Sequence, residues 1–375
     1  MKIQAAVLNA MGAKRPYAES RPLSIETLEL AGPGTGEVLV RIAAAGLCHS
    51  DLSVINGDRP RPTPMALGHE AAGIVEALGA GVSDLAKGDH VVMVFVPSCG
   101  HCLSCAEGRP ALCEPGAVAN AAGTLLSGER RLSRHGQAIH HHLGCSAFAE
   151  CATVSRRSLV KIDRELPLDE AALFGCAVLT GVGAVVNTAK VAAGQSVAIV
   201  GLGGVGLAAV IGAVSAGASR IVAIDVADDK LALATTLGAT DVRNARSATC
   251  VDDVRAATAG GVDHALEFAG SIKAMELAYR VTRRGGTTVT AGLPPPADTF
   301  ALPQVNLVVE ERTIKGSYIG TCVPLRDIPR YIAMYRGGRL PVDRLMSGHL
   351  ALDEINTGFD RLAEGKAVRQ VVMLP

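Results

Sequence analysis

The chain has 375 residues, enough for two domains of ordinary size, and 49% of them are hydrophobic. Its formal net charge is zero, so no excess of charge draws it to nucleic acid or to an anionic membrane surface. Tryptophan is absent, aromatic residues make up 3%, and there are 42 glycines. This composition favours a turn-rich α/β protein packed with small aliphatic side chains.

The ten cysteines are the first feature with chemical consequences. The opening sequence MKIQAAVLNAMG has one lysine and no cleavage-site pattern, so it predicts a first strand rather than a secretory signal. We therefore expect a cytoplasmic protein whose cysteines serve metal binding or thiol chemistry, not disulfides. The apolar region Val197–Ala216 is interrupted by glycines and is not predicted to span a membrane.

The first 70 residues alternate apolar runs with glycine and proline turns. The pattern predicts strands at Lys2–Leu8, Ser24–Leu30 and Glu37–Ala44. Two polar clusters follow at turns, and they contain Cys48 and His69. These two residues are too far apart in sequence for a zinc-finger pair, although they could still meet in space. Taken singly, each fits a buried core residue as well as a metal ligand.

Four cysteines lie close together in the stretch CGHCLSCAEGRPALC, at Cys99, Cys102, Cys105 and Cys113. Four thiolates at this spacing suit a closed tetrahedral zinc site. Such a site has no open position, so its role would be structural, and the metal would stabilise the fold of the loop. An iron–sulfur cluster also uses four thiolates, but the spacings differ from the common ferredoxin runs.

A strand–turn–helix–strand pattern occupies Ser196–Asp225. The apolar run Val197–Val200 predicts a buried parallel strand, and Leu207–Ala216 favours a helix. The turn between them fits G-x-G-x-x-G and contains Gly201, Gly203, Gly204, Val205 and Gly206. In that motif the glycines permit a tight turn, close approach of a pyrophosphate, and close packing of helix on strand. Asp225 ends the next strand, where its carboxylate would bind the ribose of NAD and repel the 2′-phosphate of NADP.

The α/β alternation continues beyond Asp225. Helices are predicted at Lys230–Leu237 and Ile272–Val281, and strands at Ala265–Phe268, Thr287–Ala291 and Thr313–Tyr318. The fold class is therefore α/β, with a doubly wound Rossmann sheet of about six parallel strands. A second, mostly β domain would hold the cysteine motifs.

Taken together, these motifs resemble those of the zinc-dependent medium-chain alcohol dehydrogenases. The resemblance covers nearly the whole chain and rests on Gly46–Asp51, Gly68–Glu70, the four-cysteine stretch, Gly175-Cys176 and Gly201–Gly206. Residues 123–150 resemble the loop of the long, typically dimeric members. The resemblance implies a GroES-like catalytic domain at 1–177 and 321–375, an NAD-binding domain at 178–320, and a homodimer, with a tetramer as the alternative.

The resemblance also implies a catalytic zinc held by Cys48, His69 and Cys176. In this family Glu70 matches an alternative ligand behind the metal, and Asp51 matches the carboxylate that orients the histidine. Ser50 matches the hydroxyl that takes the alcohol proton. The proton relay of many members then ends in a histidine, but the matching position here is Ser53. The expected cofactors are thus NAD and two zinc ions, one catalytic and one structural.

The resemblance also assigns residues to the cofactor site and the substrate pocket. The resemblance places His49 and Arg369 at the pyrophosphate, Thr180 beside the nicotinamide and Lys230 near the adenosine. The substrate pocket would be lined mostly by apolar or aromatic residues, at Arg59, Phe95, Val118, His142, Leu143, Leu293 and Tyr318. Such a pocket suits a medium-chain or aromatic primary alcohol. We expect His140-His141-His142 to lie in a solvated loop with one ring lining the pocket.

The motifs are compatible with three functions to different degrees. The first is an NAD-dependent alcohol dehydrogenase that interconverts a primary alcohol and its aldehyde. The second is oxidation of S-(hydroxymethyl)glutathione, although no basic residue follows Cys113 in EPGAVANAAG to bind the glutathione carboxylate. The third is a zinc-free quinone reductase or a non-enzymatic lens protein, against which Cys48, His69, Cys176 and Asp225 all argue. The other cysteines, Cys145, Cys151, Cys250 and Cys322, are predicted to be buried thiols.

Overall fold

The computed structural model describes residues 1–375. Its strands are β1 (Lys2–Leu8), β2 (Leu23–Leu30), β3 (Glu37–Gly46), β4 (Met65–Ala66), β5 (Glu70–Leu78), β6 (His90–Met93), β7 (Leu132–Arg134), β8 (Gln137–His141), β9 (Cys151–Ser155), β10 (Leu159–Ile162), β11 (Ser196–Val200), β12 (Arg220–Asp225), β13 (Asp241–Asn244), β14 (Val262–Glu267), β15 (Thr282–Thr290), β16 (Thr313–Gly316), β17 (Met346–Leu350) and β18 (Arg369–Met373).

The helices are α1 (Tyr17–Ser20), α2 (His49–Ile55), α3 (Leu103–Ala106), α4 (Glu114–Ala122), α5 (Leu168–Ala172), α6 (Ala177–Gly183), α7 (Gly204–Ser215), α8 (Asp228–Thr236), α9 (Cys250–Ala257), α10 (Ile272–Val281), α11 (Gln304–Val309), α12 (Pro324–Arg336) and α13 (Ile355–Ala363). A π-helical segment, Ala184–Ala189, continues α6.

The chain forms two compact units. The first contains Met1–Cys176, Val323–Ile332 and Met346–Pro375, and the second contains Ala177–Cys322 and Ala333–Leu345. The sequence predicted that all of 321–375 belongs to the zinc-binding domain, but Ala333–Leu345 packs with the second unit. Two hydrogen bonds to carbonyl oxygens link this segment to the second unit, from Ser215 Oγ to Arg339 and from Arg344 to Thr236.

The first unit is built from two β layers. Strands β1, β2, β7, β8 and β4 form a closed barrel, and the second sheet has the order β10-β6-β5-β3-β18-β17, with β9 paired to β3. Alternating apolar residues fill the barrel, among them Val7, Leu28 and Ile139. Strands β7 and β8 lie inside residues 123–150, which the sequence predicted as a loop; their pairing with β2 and β4 closes the barrel.

The second unit is a six-stranded parallel sheet of order β13-β12-β11-β14-β15-β16. This order reverses direction at β11, as in doubly wound folds that bind dinucleotides. Val197–Val200 of β11 are buried on both faces, as the continuous apolar run predicted. The predicted fold class is confirmed. The edge strand β13 was missed because Asp241–Asn244 is short and polar.

No single helix in the chain has both the length and the hydropathy needed to cross a membrane. Only the successive segments Leu168–Gly175 and Ala177–Ala189, taken together, reach those values.

Candidate active site

Antiparallel pairing of β3 with β5 brings Cys48 and His69 together. Gly46 at the end of β3 lies opposite Glu70 at the start of β5, so the residues flanking this pair meet. Cys176 joins them at the end of a helical turn, Leu173–Gly175. The two sulfur atoms of Cys48 and Cys176 are 4.0 Å apart, and Cys176 Sγ is 3.6 Å from His69 Nε2. All three side chains are buried.

These separations fit a tetrahedral zinc ion. Zn–S bonds of about 2.3 Å and Zn–N bonds of about 2.1 Å place two sulfurs about 3.8 Å apart and a sulfur and a nitrogen about 3.6 Å apart. His69 directs Nε2 to the cysteines, while its Nδ1 lies 3.1 Å from Asp51 Oδ1. A carboxylate on the second ring nitrogen is the usual support for a histidine that binds zinc.

Glu70 and Arg369 lie behind this triad in the interior. Arg369 donates a hydrogen bond to the Leu47 carbonyl at 2.8 Å, and the same nitrogen is 3.6 Å from Glu70 Oε2. Both Glu70 carboxylate oxygens are buried without a hydrogen-bond partner. Burial, countered in part by Arg369, raises the pKa of Glu70 to about 7. A buried carboxylate with free lone pairs beside two cysteines fits the predicted alternative metal ligand.

Arg369 is buried in the interior and is not a surface residue. The sequence placed it at a pyrophosphate, and the structure buries it between the Leu47 carbonyl and Glu70. The pKa of Arg369 is raised: burial opposes the charge, but Glu70 and the two cysteines outweigh burial. The guanidinium is therefore a permanent cation near the triad and also lowers the pKa of Cys48, after the larger effect of the Cys176 hydrogen bond.

Helix α2 carries the other predicted residues of this segment. His49 is exposed at its first position, and Ser50 follows half-buried. Ser53, which replaces the relay histidine, donates its hydroxyl to the His49 carbonyl at 2.8 Å. This bond occupies the Ser53 proton within the helix. Its oxygen lone pairs remain able to accept a hydrogen bond.

The four-cysteine lobe, Cys99–Cys113, is the second candidate metal centre. Its four sulfur atoms lie within 4.8 Å of one another. Backbone N–H groups donate to two of the sulfurs: Cys102 to Cys99 Sγ at 3.3 Å, and Cys99 and Gly116 to Cys113 Sγ at 3.1 Å and 3.4 Å. Only Ala111 and Cys113 of the lobe are buried. The lobe has no apolar core of its own, which fits a segment held by a metal ion.

The glycine turn adopts the geometry that its spacing predicted. Gly201 has φ +92°, a conformation that favours glycine. A Cβ on Gly206 would lie 1.8 Å from the Gly201 carbonyl oxygen, so helix α7 approaches the turn too closely for any side chain. A Cβ on Gly203 would meet no atom within 4 Å. Gly203 is therefore not required for internal packing, and its open backbone is suited to a phosphate at the start of α7.

Asp225 lies at the end of β12 beside this turn. Its Oδ2 accepts a hydrogen bond from the Leu202 backbone at 2.6 Å and its Oδ1 from Ala227 at 3.0 Å. The carboxylate thus stabilises the turn and keeps further lone pairs for a ribose. Thr180 on α6 and Lys230 on α8 are half-buried in the same unit.

The predicted pocket residues fall into two groups. Phe95, His142 and Leu143 are buried, and the rings of Phe95 and His142 pack edge-on to His69 at 5.3 Å and 5.6 Å. The exposed or half-buried ones are Arg59, Val118, Leu293 and Tyr318. The expected solvated histidine loop is wrong. His141 and His142 are almost fully buried. The reason is that β8 of the barrel ends at His141, and His142 follows it directly.

Glu267, at the end of β14, is a buried acid beside the parallel sheet that sequence analysis did not identify. Its Oε1 accepts a hydrogen bond from the Gly270 backbone at 2.6 Å and its Oε2 one from Thr290 at 2.8 Å. Burial raises the pKa of Glu267, against these hydrogen bonds. The signal that identified Asp225, an acid directly after an apolar strand, also applies to Glu267.

Comparison with known proteins agrees with this arrangement. The family described as the alcohol dehydrogenase GroES-like domain matches residues 34–164, and the zinc-binding dehydrogenase family matches residues 204–336. A Mycobacterium tuberculosis protein, provisionally named alcohol dehydrogenase D, is 40% identical over 100% of both chains. Together, fold and site define an oxidoreductase of the zinc-binding dehydrogenase class.

Two solved structures extend this finding. Benzyl alcohol dehydrogenase from Acinetobacter calcoaceticus is 32% identical, with a TM-score of 0.93 and full coverage of both chains. A provisionally named zinc-binding dehydrogenase from Sinorhizobium meliloti, solved with NADP bound, is 26% identical, with a TM-score of 0.80 and coverage of 100% of this chain and 99% of that chain. The chain belongs to the zinc-dependent medium-chain alcohol dehydrogenase family, whose zinc and nicotinamide chemistry matches the two motif sets described above.

Proposed function

We propose that this chain is an NAD-dependent alcohol dehydrogenase with two zinc ions per subunit that interconverts a primary medium-chain or aromatic alcohol and its aldehyde. The observation that carries the proposal is the buried Cys48–His69–Cys176 triad with Asp51 on the second nitrogen of His69. Three protein ligands leave one zinc position for water or substrate. When bound, such a zinc polarises an alcohol or carbonyl oxygen and lowers the pKa of the hydroxyl.

The chain's own residues supply orientation and proton transfer. Asp51 keeps the His69 proton on Nδ1, so that Nε2 faces the two cysteines. We assign the alcohol proton to the Ser50 hydroxyl, two residues after Cys48. As Ser50 takes the alcohol proton it must release its own proton, and we assign that proton to a water molecule, since the Ser53 hydroxyl already donates to the His49 carbonyl.

An apolar or aromatic substrate is supported by the residues around His69. Phe95 is buried against the imidazole, and Leu143 is buried next to His142. The Acinetobacter calcoaceticus relative is named for benzyl alcohol, and we infer a similar substrate class for this chain.

The test is absorbance at 340 nm with NAD at mildly alkaline pH over benzyl alcohol, hexanol, ethanol, and formaldehyde with glutathione. We expect a rise with benzyl alcohol and hexanol that is lost on chelation of zinc. A rise only with formaldehyde and glutathione would instead establish the glutathione-dependent reaction. No rise with any substrate, at two bound zinc ions per chain, would reject the proposal.

We propose NAD rather than NADP as the cofactor because Asp225 places a carboxylate beside the glycine turn. Replacing Asp225 by asparagine keeps a hydrogen-bond acceptor and removes the charge. A charge-assisted hydrogen bond contributes about 1.5–3 kcal/mol, so KM for NAD is expected to rise about 10- to 100-fold. KM for NADP is expected to fall, because repulsion of the 2′-phosphate is removed.

The matched control is Asp229→Asn on α8, an exposed acid that makes the same chemical change four residues later. We expect its KM for NAD to stay within about twofold of the parent value, since surface substitutions have small effects. Saturation kinetics with both cofactors measure these ratios. A parent enzyme that prefers NADP would contradict the assignment.

We propose a homodimer formed through the second unit. Strand β16 is an edge of the parallel sheet, so one side of its backbone has no neighbouring strand in that sheet. Helix α11 exposes Val305, Val308 and Val309, at 60%, 73% and 55%. An apolar cluster near an open sheet edge is typical of a subunit interface.

Val308→Asp is expected to convert the dimer to a monomer. Twofold symmetry would bury the charge twice, at about 1–3 kcal/mol for each copy, so the dissociation constant is expected to rise at least about 30-fold. Sedimentation velocity near micromolar concentration measures the change. Leu325→Asp, at an exposed leucine of the first unit, is the control and should remain dimeric. A tetrameric parent, or a dimeric Val308→Asp, would contradict this interface.

A further inference from the structure

One carboxylate oxygen of Asp51 lies close to three nitrogen atoms. Its Oδ1 lies 3.2 Å from the Gly68 backbone nitrogen, 3.1 Å from His69 Nδ1 and 3.1 Å from His142 Nδ1. Its Oδ2 is buried without a hydrogen-bond partner. The side chains of Asp51, His69 and His142 are all at most 1% exposed. This is a His–Asp–His arrangement in which only one histidine faces the cysteines.

The second histidine is held in place by a strained loop. Leu143, Gly144 and Ser146 all have positive φ, at 51°, 66° and 51°. The Ser146 hydroxyl accepts a hydrogen bond from the His142 backbone at 3.0 Å. Left-handed conformations of residues other than glycine persist only when the surrounding structure enforces them, and they concentrate at functional sites.

We propose that His142 is a positioning residue of the catalytic zinc site. It shares Asp51 with His69 and so holds the carboxylate where the His69 Nδ1–H meets it and Nε2 faces Cys176. The inference rests on the proposed function, because it concerns the zinc that this function requires.

Two features distinguish a positioning role of His142 from that of a residue that only lines the substrate pocket. First, His142 Nδ1 lies 3.1 Å from Asp51 Oδ1 with both side chains at most 1% exposed, so the ring presents a polar atom to the carboxylate. Second, this buried Nδ1 makes no other hydrogen bond, which leaves Asp51 Oδ1 as its neighbouring acceptor. A phenylalanine would fill the same volume but leave Asp51 with one donor fewer in a buried site, where hydrogen bonds to a carboxylate matter most.

The experiment measures zinc release from the holoenzyme to a chromogenic chelator. The parent protein should show two phases, and Cys176→Ser, which keeps only the four-cysteine zinc, identifies the phase of the triad. In His142→Phe the triad phase is expected to accelerate at least about tenfold, since loss of a group that supports a metal ligand typically weakens metal binding 10- to 100-fold. The phase of the four-cysteine lobe should not change.

Two further variants complete the test. Asparagine places an amide nitrogen near the position of Nδ1, so His142→Asn should restore the triad phase to within about threefold of the parent rate. His140→Phe makes the same change at a neighbouring histidine with no contact to Asp51, and both phases should match the parent.

The outcomes are distinct. Equal triad rates in the parent and His142→Phe overturn the inference, as does acceleration of both phases together, which would indicate only a weakened fold. A parent protein with no triad phase at all would instead reject the proposed function.

Discussion

Cys176→Ser is expected to lower kcat/KM for the preferred alcohol at least about 1000-fold. Metal polarisation of the reacting oxygen contributes several kcal/mol to transition-state stabilisation, and about 4 kcal/mol corresponds to 1000-fold in rate. A serine hydroxyl is a poor substitute for a thiolate in zinc binding. In this chain the loss is severe because Cys48 and His69 would remain as only two of the three ligands.

Steady-state kinetics and metal analysis on the same samples check this result. We expect two zinc ions per chain in the parent protein and one in Cys176→Ser, with little change in melting temperature. Cys151→Ser, a buried cysteine outside both metal groups, is the control and should keep both zinc ions and most of the activity. Cys176→Ser with its triad zinc lost and its activity within tenfold of the parent would refute the catalytic role.

Cys102→Ser is expected to unfold the four-cysteine lobe while the rest of the chain stays folded. Zinc binding to small structural sites releases about 10–16 kcal/mol near pH 7. Between Cys99 and Cys113 only Ala111 and Cys113 are buried, so no apolar core replaces the metal. The exposed Glu107–Gly108 bond in this lobe should then become a substrate of endoproteinase Glu-C.

Limited proteolysis followed by mass spectrometry measures the effect. Cleavage by endoproteinase Glu-C after Glu107 is expected to be at least about 100-fold faster in Cys102→Ser than in the zinc-loaded parent, because local opening no longer requires zinc release. Cys151→Ser should be cleaved at the parent rate. If Cys102→Ser keeps two zinc ions and resists endoproteinase Glu-C, the four cysteines are not a structural metal site.

The glycine turn and the four-cysteine lobe were predictable because their geometry is local. Within six residues, Gly201–Gly206, the chain can adopt few backbone paths that join a buried strand to a helix. The structure shows why two of the glycines are needed, through the positive φ of Gly201 and the 1.8 Å approach at Gly206, while the backbone at Gly203 is open. Likewise, Cys99, Cys102 and Cys105 have only two residues between neighbours, so their thiols remain close enough to share one metal ion.

The triad was predictable only by resemblance. Cys48, His69 and Cys176 are spread over 129 positions of the chain, and nothing in their local sequence requires them to meet. The register of β3 against β5 brings the first two together, and a turn at the end of the first unit adds the third.

The histidine tract shows most clearly which features local sequence does not predict. Three successive histidines predict a polar, solvated segment, but barrel closure by β8 buries His141, and the strained turn after it directs His142 to Asp51. The sequence by itself determined the two-domain α/β class, the dinucleotide turn and the cysteine lobe, since each depends on neighbouring residues. Only the tertiary structure decided that His142 shares a carboxylate with His69, because that contact depends on strand pairing between segments about 70 residues apart, a distance over which local sequence patterns specify no contact.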